Sequence, residues 1–161
     1  MAEIGLKVDV RTLCLTLPFS SAAPHSQFPR GTNMIAKLDH LTIASRDRAA
    51  ADRHYSVLLP LVGFAKVRDG IWKNAEGIYL QFITATEGTG PYERYGAGVN
   101  HWGLSIESPE EVEKLRASLI AAGIDAQPIQ DLHGAKALFV PDPDGLRAEF
   151  TWYPDGMAPV G

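Results

Sequence analysis

The strongest constraint on this chain is that its second half rewrites its first. Asp39-His40-Leu41-Thr42-Ile43 has a counterpart in Asn100-His101-Trp102-Gly103-Leu104. Gly77-Ile78-Tyr79-Leu80-Gln81-Phe82 is matched by Gly145-Leu146-Arg147-Ala148-Glu149-Phe150. A pattern that recurs in this way marks one supersecondary unit used twice, with each copy helping to bury the other.

Between the matched stretches each copy holds a helical segment. Asp47 is placed to cap the first, with Ala51, Tyr55, Leu58 and Leu59 on one face. Ser108-Pro109-Glu110-Glu111 reads as a capping box with proline in the first turn, ahead of a stripe of Val112, Leu115, Leu119 and Ile120. Gly63 and Gly123 suit the left-handed position that closes a helix, and Pro60 is expected to end the first one slightly sooner. Strands are expected over 64–68, 71–74 and 78–84, and again over 126–130, 135–140 and 147–152. Pro141-Asp142-Pro143-Asp144 presets the turn before the last of them, and Gly88 to Gly98 is the natural linker between halves.

The first 34 residues stand outside this repeat. Ile4, Leu6, Val8 and Val10 alternate as in a strand, and Pro18 to Thr32 is rich in Ser, Pro and Gly. Glu3, Lys7, Asp9 and Arg11 interrupt the apolar centre that a secretory signal requires. The segment is either an extra strand with a linker or a stretch upstream of a true start at Met34, and the second reading is preferred.

Composition narrows the function. A net charge of −4 provides no broad basic surface for phosphates, so a nucleic-acid partner is not expected. No apolar run approaches the roughly 20 residues that span a bilayer, so no membrane partner is expected either. The single cysteine, Cys14, cannot form an internal disulfide; this fits a reducing cytoplasm and excludes a cysteine-based metal cage.

Side chains alternate across a strand, so two-residue spacing sorts each strand into faces. With His40 facing inward, Thr42 joins it while Leu41 and Ile43 face out. Tyr79 and Ile83 accompany Gln81, Gly103 and Ser105 accompany His101, and Arg147 and Thr151 accompany Glu149. The large apolar residues fall on the opposite face in all four strands, which makes that side a core. Taken singly, a histidine or glutamine on a strand is an ordinary surface or core residue. A carboxylate inside the apolar run from Leu146 to Trp152 is different, because a buried charge needs a partner. Two imidazoles, an amide and a carboxylate at equivalent places in a repeat are expected to converge on one divalent ion. The expected fold is therefore α+β: two βαβββ modules (35–88 and 97–154) in a curled mixed sheet around a metal site, helices on its outer face, and a tail at 155–161.

Residues 35 to 154 resemble the vicinal oxygen chelate superfamily, which joins glyoxalases, bleomycin-resistance proteins and extradiol dioxygenases. The likeness rests on Leu38-Asp39-His40, Asn100-His101 and Pro141-Asp142-Pro143-Asp144-Gly145 ahead of Glu149-Phe150. The resemblance implies metal ligands on the first and last strands of each module, here His40, Gln81, His101 and Glu149. It also implies a homodimer. Nickel, cobalt, manganese, iron and zinc all suit such an all-nitrogen-and-oxygen set.

The leading expectation is a glyoxalase-like lyase or isomerase that stabilises an enediolate of a small vicinal-oxygen substrate, with Glu149 as both ligand and base. Arg147, Tyr79 and Thr42 are the expected substrate-binding residues. The runner-up is an iron-dependent ring-cleaving dioxygenase built on His40, His101 and Glu149, with His133 and Tyr79 as acid–base candidates. A third reading is a binding protein of the same fold without turnover. Glu76 is expected in a turn, and Tyr92, Arg94 and Tyr95 in a solvated loop that could close on substrate. His54 and Trp72 are read as structural, His25 as surface and His133 as a turn residue. Gln81→Ala separates the leading readings: a four-ligand isomerase loses metal affinity and turnover, whereas an iron triad keeps both in a parallel metal-content and activity assay.

Overall fold

The structure, a computed structural model, describes residues 36–159. The readings made for residues 1–34, Cys14 and His25 included, lie outside the described residues. Each half follows the expected order. The first runs through β1 (His40–Ser45), α1 (Arg48–Leu61), β2 (Ala65–Arg68), β3 (Ile71–Lys73) and β4 (Tyr79–Thr84). The second runs through β5 (His101–Ser105), α2 (Pro109–Ala121), β6 (Gln130–Leu132), β7 (Ala135–Pro141) and β8 (Arg147–Trp152). The strands form two four-stranded mixed sheets, ordered β1-β4-β3-β2 and β5-β8-β7-β6. In each, the first and last strands run parallel and the remaining pairs antiparallel. A parallel pair needs a crossover, and the helix supplies it.

Local chemistry sets the helix ends. The Asp47 carboxylate accepts from the Ala50 amide at 2.9 Å, and the Ser108 hydroxyl from the Glu111 amide at 3.2 Å. Gly63 and Gly123 take φ of 82° and 80° just past the helices, where a side chain would be strained. Two expectations need correction. Ile120 is 49% exposed, because Val112, Leu115 and Leu119 already fill the buried stripe and Ile120 lies about 100° further round. Pro60 does not end α1, which runs on to Leu61; within the last turn a missing N–H forfeits only one bond.

The first strand of the second hairpin also differs from expectation, at 130–132 rather than 126–130. His133 and Gly134 both have positive φ, 56° and 105°, which makes a tight two-residue turn. That turn fixes the register at Leu132 opposite Ala135, so pairing starts next to it and ends at Gln130 opposite Ala137.

Alternation along the strands decides where the core lies. Ile43, Leu80, Phe82, Ala148 and Phe150 are buried, with Leu41, Trp102, Leu104 and Trp152 partly buried beside them. All belong to one apolar cluster that also takes in Tyr55, Leu58 and Leu59 of α1 and Val112, Leu115 and Leu119 of α2. The helices thus cover the face of each sheet opposite the candidate ligands. Polar ties reinforce this shared core. The Tyr55 hydroxyl donates to Asp142 at 2.9 Å, and Asp142 also accepts from the amides of Asp144 and Leu146. The Arg46 amide donates to Asp144 at 3.0 Å. Both aspartates of the preset turn therefore fasten the second module to the first. Among the described residues no helix is long and apolar enough to cross a membrane.

His54, on α1, packs edge-on against Tyr55, and its Nε2 is buried with no partner among the described residues. Burial lowers its pKa from 6.5 to about 4. The unfolded chain therefore takes up a proton first on acidification. The stability tied to neutral His54 is present above pH 6.5 and is lost as pH falls toward 4. Allowing for solvent screening, that loss is roughly 2 kcal/mol. Urea unfolding at pH 7 and pH 4.5 is expected to show a steeper fall for the native chain than for His54→Leu. Equal slopes would remove His54 as the cause.

Candidate metal centre divided between two sheets

Each candidate ligand lies on the strand and face expected for it. His40 opens β1, and the β1–β4 register brings Thr42 level with Gln81. His101 opens β5, and the β5–β8 register brings Gly103 level with Glu149. One pair therefore lies on each sheet, in both cases on the edge strand and its neighbour.

The repeat extends to the groups that hold these side chains. Asp39 engages His40 Nδ1 at 2.8 Å, and Asn100 engages His101 Nδ1 at 2.9 Å. With Nδ1 occupied, each imidazole has Nε2 left for another partner, the arrangement by which a neighbouring group fixes the ring of a metal-binding histidine. The Thr42 hydroxyl donates to Gln81 Oε1 at 3.2 Å, and the Thr151 hydroxyl to Glu149 Oε1 at 2.6 Å. In the second pair the two candidate donors also meet, His101 Nε2 lying 2.8 Å from Glu149 Oε2. A cavity of about 270 Å³ opens there, lined by His101, Gly103, Ser105, Glu149, Thr151 and Tyr153 among others. A Cβ on Gly103 would lie 3.9 Å from the Glu149 carboxylate, an ordinary van der Waals contact.

The two pairs differ in burial. The His40 side chain is 57% exposed, His101 33% and Glu149 only 9%. The structure does not bring the four donors to one point. Among the described residues no group of three or more His, Cys, Asp or Glu side chains is placed to hold a metal ion. The physical reason is the shared core: both sheets turn their apolar faces into it, so both ligand faces turn away from it. A cavity of about 440 Å³ beside β1 takes in Thr42 and Ala44 but none of the four donors.

The expected substrate-binding residues divide in the same way. Tyr79 is paired with His40 across the first sheet, with the Lys73 ammonium 5.0 Å from its ring, and Thr42 holds Gln81. Arg147 pairs with His101 across the second sheet. Its pKa lies below the ordinary value, chiefly through burial and then through the charge of Arg94. His133 is exposed in the β6–β7 turn, as read from the sequence, and Glu76 lies in the turn before β4. Phe139 had not been singled out. It stands opposite Glu149 on β7, with its ring edge-on to His101 at 5.8 Å and under the Arg147 guanidinium at 4.2 Å. The available signal was that Phe139 shares two-residue parity with Ala135, Ala137 and Pro141, an aromatic among small residues on the ligand face.

No family model matches the chain, and no curated protein matches it. Solved structures do. A glyoxylase/bleomycin resistance protein/dioxygenase domain from Frankia sp. EAN1pec superposes with a TM-score of 0.59 at 22% identity, covering 77% of this chain and 96% of that one. A glyoxalase/bleomycin resistance protein/dioxygenase from Nocardioides gives 0.58 at 21%, covering 81% and 91%. Lactoylglutathione lyase from Agrobacterium tumefaciens gives 0.55 at 18%, covering 73% and 94%. The chain thus has the fold of the vicinal oxygen chelate superfamily, as the resemblance implied.

Removing one partner from a largely buried hydrogen-bonded pair leaves the other polar group unsatisfied and costs more than removing an exposed side chain. In metal-free protein, His101→Ala is expected to lower unfolding free energy by about 1–3 kcal/mol. His40→Ala should fall within the roughly 0.5 kcal/mol of an ordinary surface change. Chemical denaturation with a chelator present checks the order.

Proposed function

We propose that the protein is a metal-dependent enzyme of the glyoxalase type, a lyase or isomerase acting on a small molecule with two neighbouring oxygens. The observation that carries this reading is the matched preparation of both ligand pairs. Each imidazole has its Nδ1 held, and each oxygen donor is held by a threonine. Such preparation fits a divalent ion better than two isolated surface pairs, because only Nε2 and the remaining oxygens need to be presented. The donor set fits as well. Glu149 is a buried carboxylate whose His101 partner is neutral unless protonated, so a cation would offset its charge.

His40, Gln81, His101 and Glu149 would hold the ion, which when bound supplies a Lewis acid for negative charge developing on the two substrate oxygens. Glu149 is the proton acceptor in this scheme. His101 and Thr151 fix its two oxygens, and the apolar side of β8 keeps water from behind it. Thr42 and Tyr79 orient the substrate from the first sheet, and Phe139 closes the floor beside His101.

The centre is completed by a second copy of the chain. Among the described residues the histidine of each sheet sits on a strand whose outer edge is unpaired, β1 in one and β5 in the other, and the two sheets are not joined to each other. Setting β1 of one copy against β5 of another unites His40 and Gln81 with His101 and Glu149. A two-fold axis then creates two such centres.

This arrangement predicts complementation. His40→Ala and His101→Ala each bind little metal alone. In an equal mixture, unfolded and refolded together, half of the dimers are mixed and each mixed dimer carries one intact centre of two. Metal content should therefore recover to about one quarter of the native value. Elemental analysis reads it directly. No recovery would sink the shared centre, and full metal content in both single variants would sink the ligand assignment.

A further inference from the structure

We propose that Arg94 and Arg147 form an anion-binding subsite beside the His101–Glu149 pair, which takes a carboxylate or phosphoryl group carried by the substrate. The inference rests on the proposed function for its neighbour and on a separate set of contacts for itself.

Arg147 lies next to His101 across the sheet, and its guanidinium stacks on Phe139, the same ring that meets His101. The Arg147 Nε is buried and has no hydrogen-bond partner among the described residues. Arg94 comes from the linker and stacks on Tyr95 at 4.8 Å; its Nε is likewise buried, with no partner among the described residues. Among the described residues neither arginine lies in an ion pair, since every salt bridge there joins other groups. Glu149, whose charge reaches Arg147, lies in an ion pair with neither arginine; its two oxygens contact His101 and Thr151.

The linker that carries Arg94 is pinned to the candidate centre. Asn100 Nδ2 donates to the Arg94 carbonyl at 2.7 Å, while Asn100 Oδ1 engages His101 Nδ1 at 2.9 Å. The Tyr92 hydroxyl donates to the carbonyls of Val99 and Asn100 at 3.0 and 2.7 Å. One asparagine thus fixes both the ligand ring and the backbone of Arg94. Arg94 lies near enough for its charge to bear on Arg147, and two like charges in a partly desolvated place repel one another unless an anion joins them. Planar guanidiniums with free N–H groups match the oxygens of a carboxylate or phosphoryl group, and the aromatic rings beneath them hold their planes. The preferred substrate is therefore a vicinal-oxygen compound that also bears an anionic group.

The test uses metal-free, full-length protein titrated at constant ionic strength with inorganic phosphate and, separately, with acetate, followed by amide chemical shifts. Saturable binding of either anion is expected, the tighter one identifying the group. Arg94→Gln and Arg147→Gln should each weaken it by about tenfold or more, and Arg116→Gln, on the far-side helix α2, should not. Because Arg94 lies in a loop, its variant keeps the test decisive if Arg147→Gln fails to fold. No saturation with either anion, or unchanged affinity in Arg94→Gln, overturns the subsite. Metal uptake, measured on parallel samples of the same protein after incubation with a divalent metal salt, separates the two readings. Metal bound without anion binding leaves the proposed centre standing and removes the subsite; arginine-dependent anion binding in protein that never takes up metal does the reverse.

Discussion

One apolar core shared by both modules is the constraint on which the rest of the structure depends. Neither four-stranded sheet with its single helix has a second layer large enough to bury its apolar face alone. Tyr55, Leu58 and Leu59 from one helix and Val112, Leu115 and Leu119 from the other fill a single cluster with residues of both sheets. The Tyr55–Asp142 hydrogen bond lies at this junction, and breaking it would leave the buried Oδ2 of Asp142 without its donor. Once the two apolar faces share a core, the polar faces have no choice of direction.

That direction accounts for the division of the candidate centre. Period-two alternation puts His40 and Gln81 on the face away from the core in one sheet, and His101 and Glu149 on the corresponding face of the other. The repeat has preserved more than the ligands. Asp39 and Asn100 occupy the same place before their histidines and make the same contact to Nδ1. Their chemistry differs, a carboxylate in one and an amide in the other, and so does the setting: the first pair is open and the second enclosed. The second pair also has Phe139, Arg147 and the pinned linker around it. The two halves of the repeat have thus diverged, one toward a simple pair of donors and the other toward a lined pocket.

Much of this was legible along the chain because each reading rested on a local rule. Asp47 and Ser108 cap helices because a side-chain oxygen three residues ahead of a free amide does so in any context. The buried faces of β1, β4 and β8 followed from alternation alone. What escaped was set by competition between neighbours. Ile120 looked as apolar as Leu119, but the stripe had room for only one of them. The strand before His133 was displaced because the tight turn, not the apolar run, fixes its register. Arg94 looked like a loop residue, and it is one; its importance comes from Asn100 and Tyr95, through contacts that no spacing rule encodes.

The sequence by itself determined the duplicated βαβββ order, the helix boundaries to within a residue or two, and the face of each strand on which the candidate donors stand. These depend on backbone periodicity and on contacts between near neighbours. Only the tertiary structure decided that the four donors form two pairs rather than one cluster, and that Phe139 and Arg94 stand beside the second pair. Those outcomes depend on how two apolar faces meet and on which chain segments that meeting brings together, and both are long-range consequences of packing.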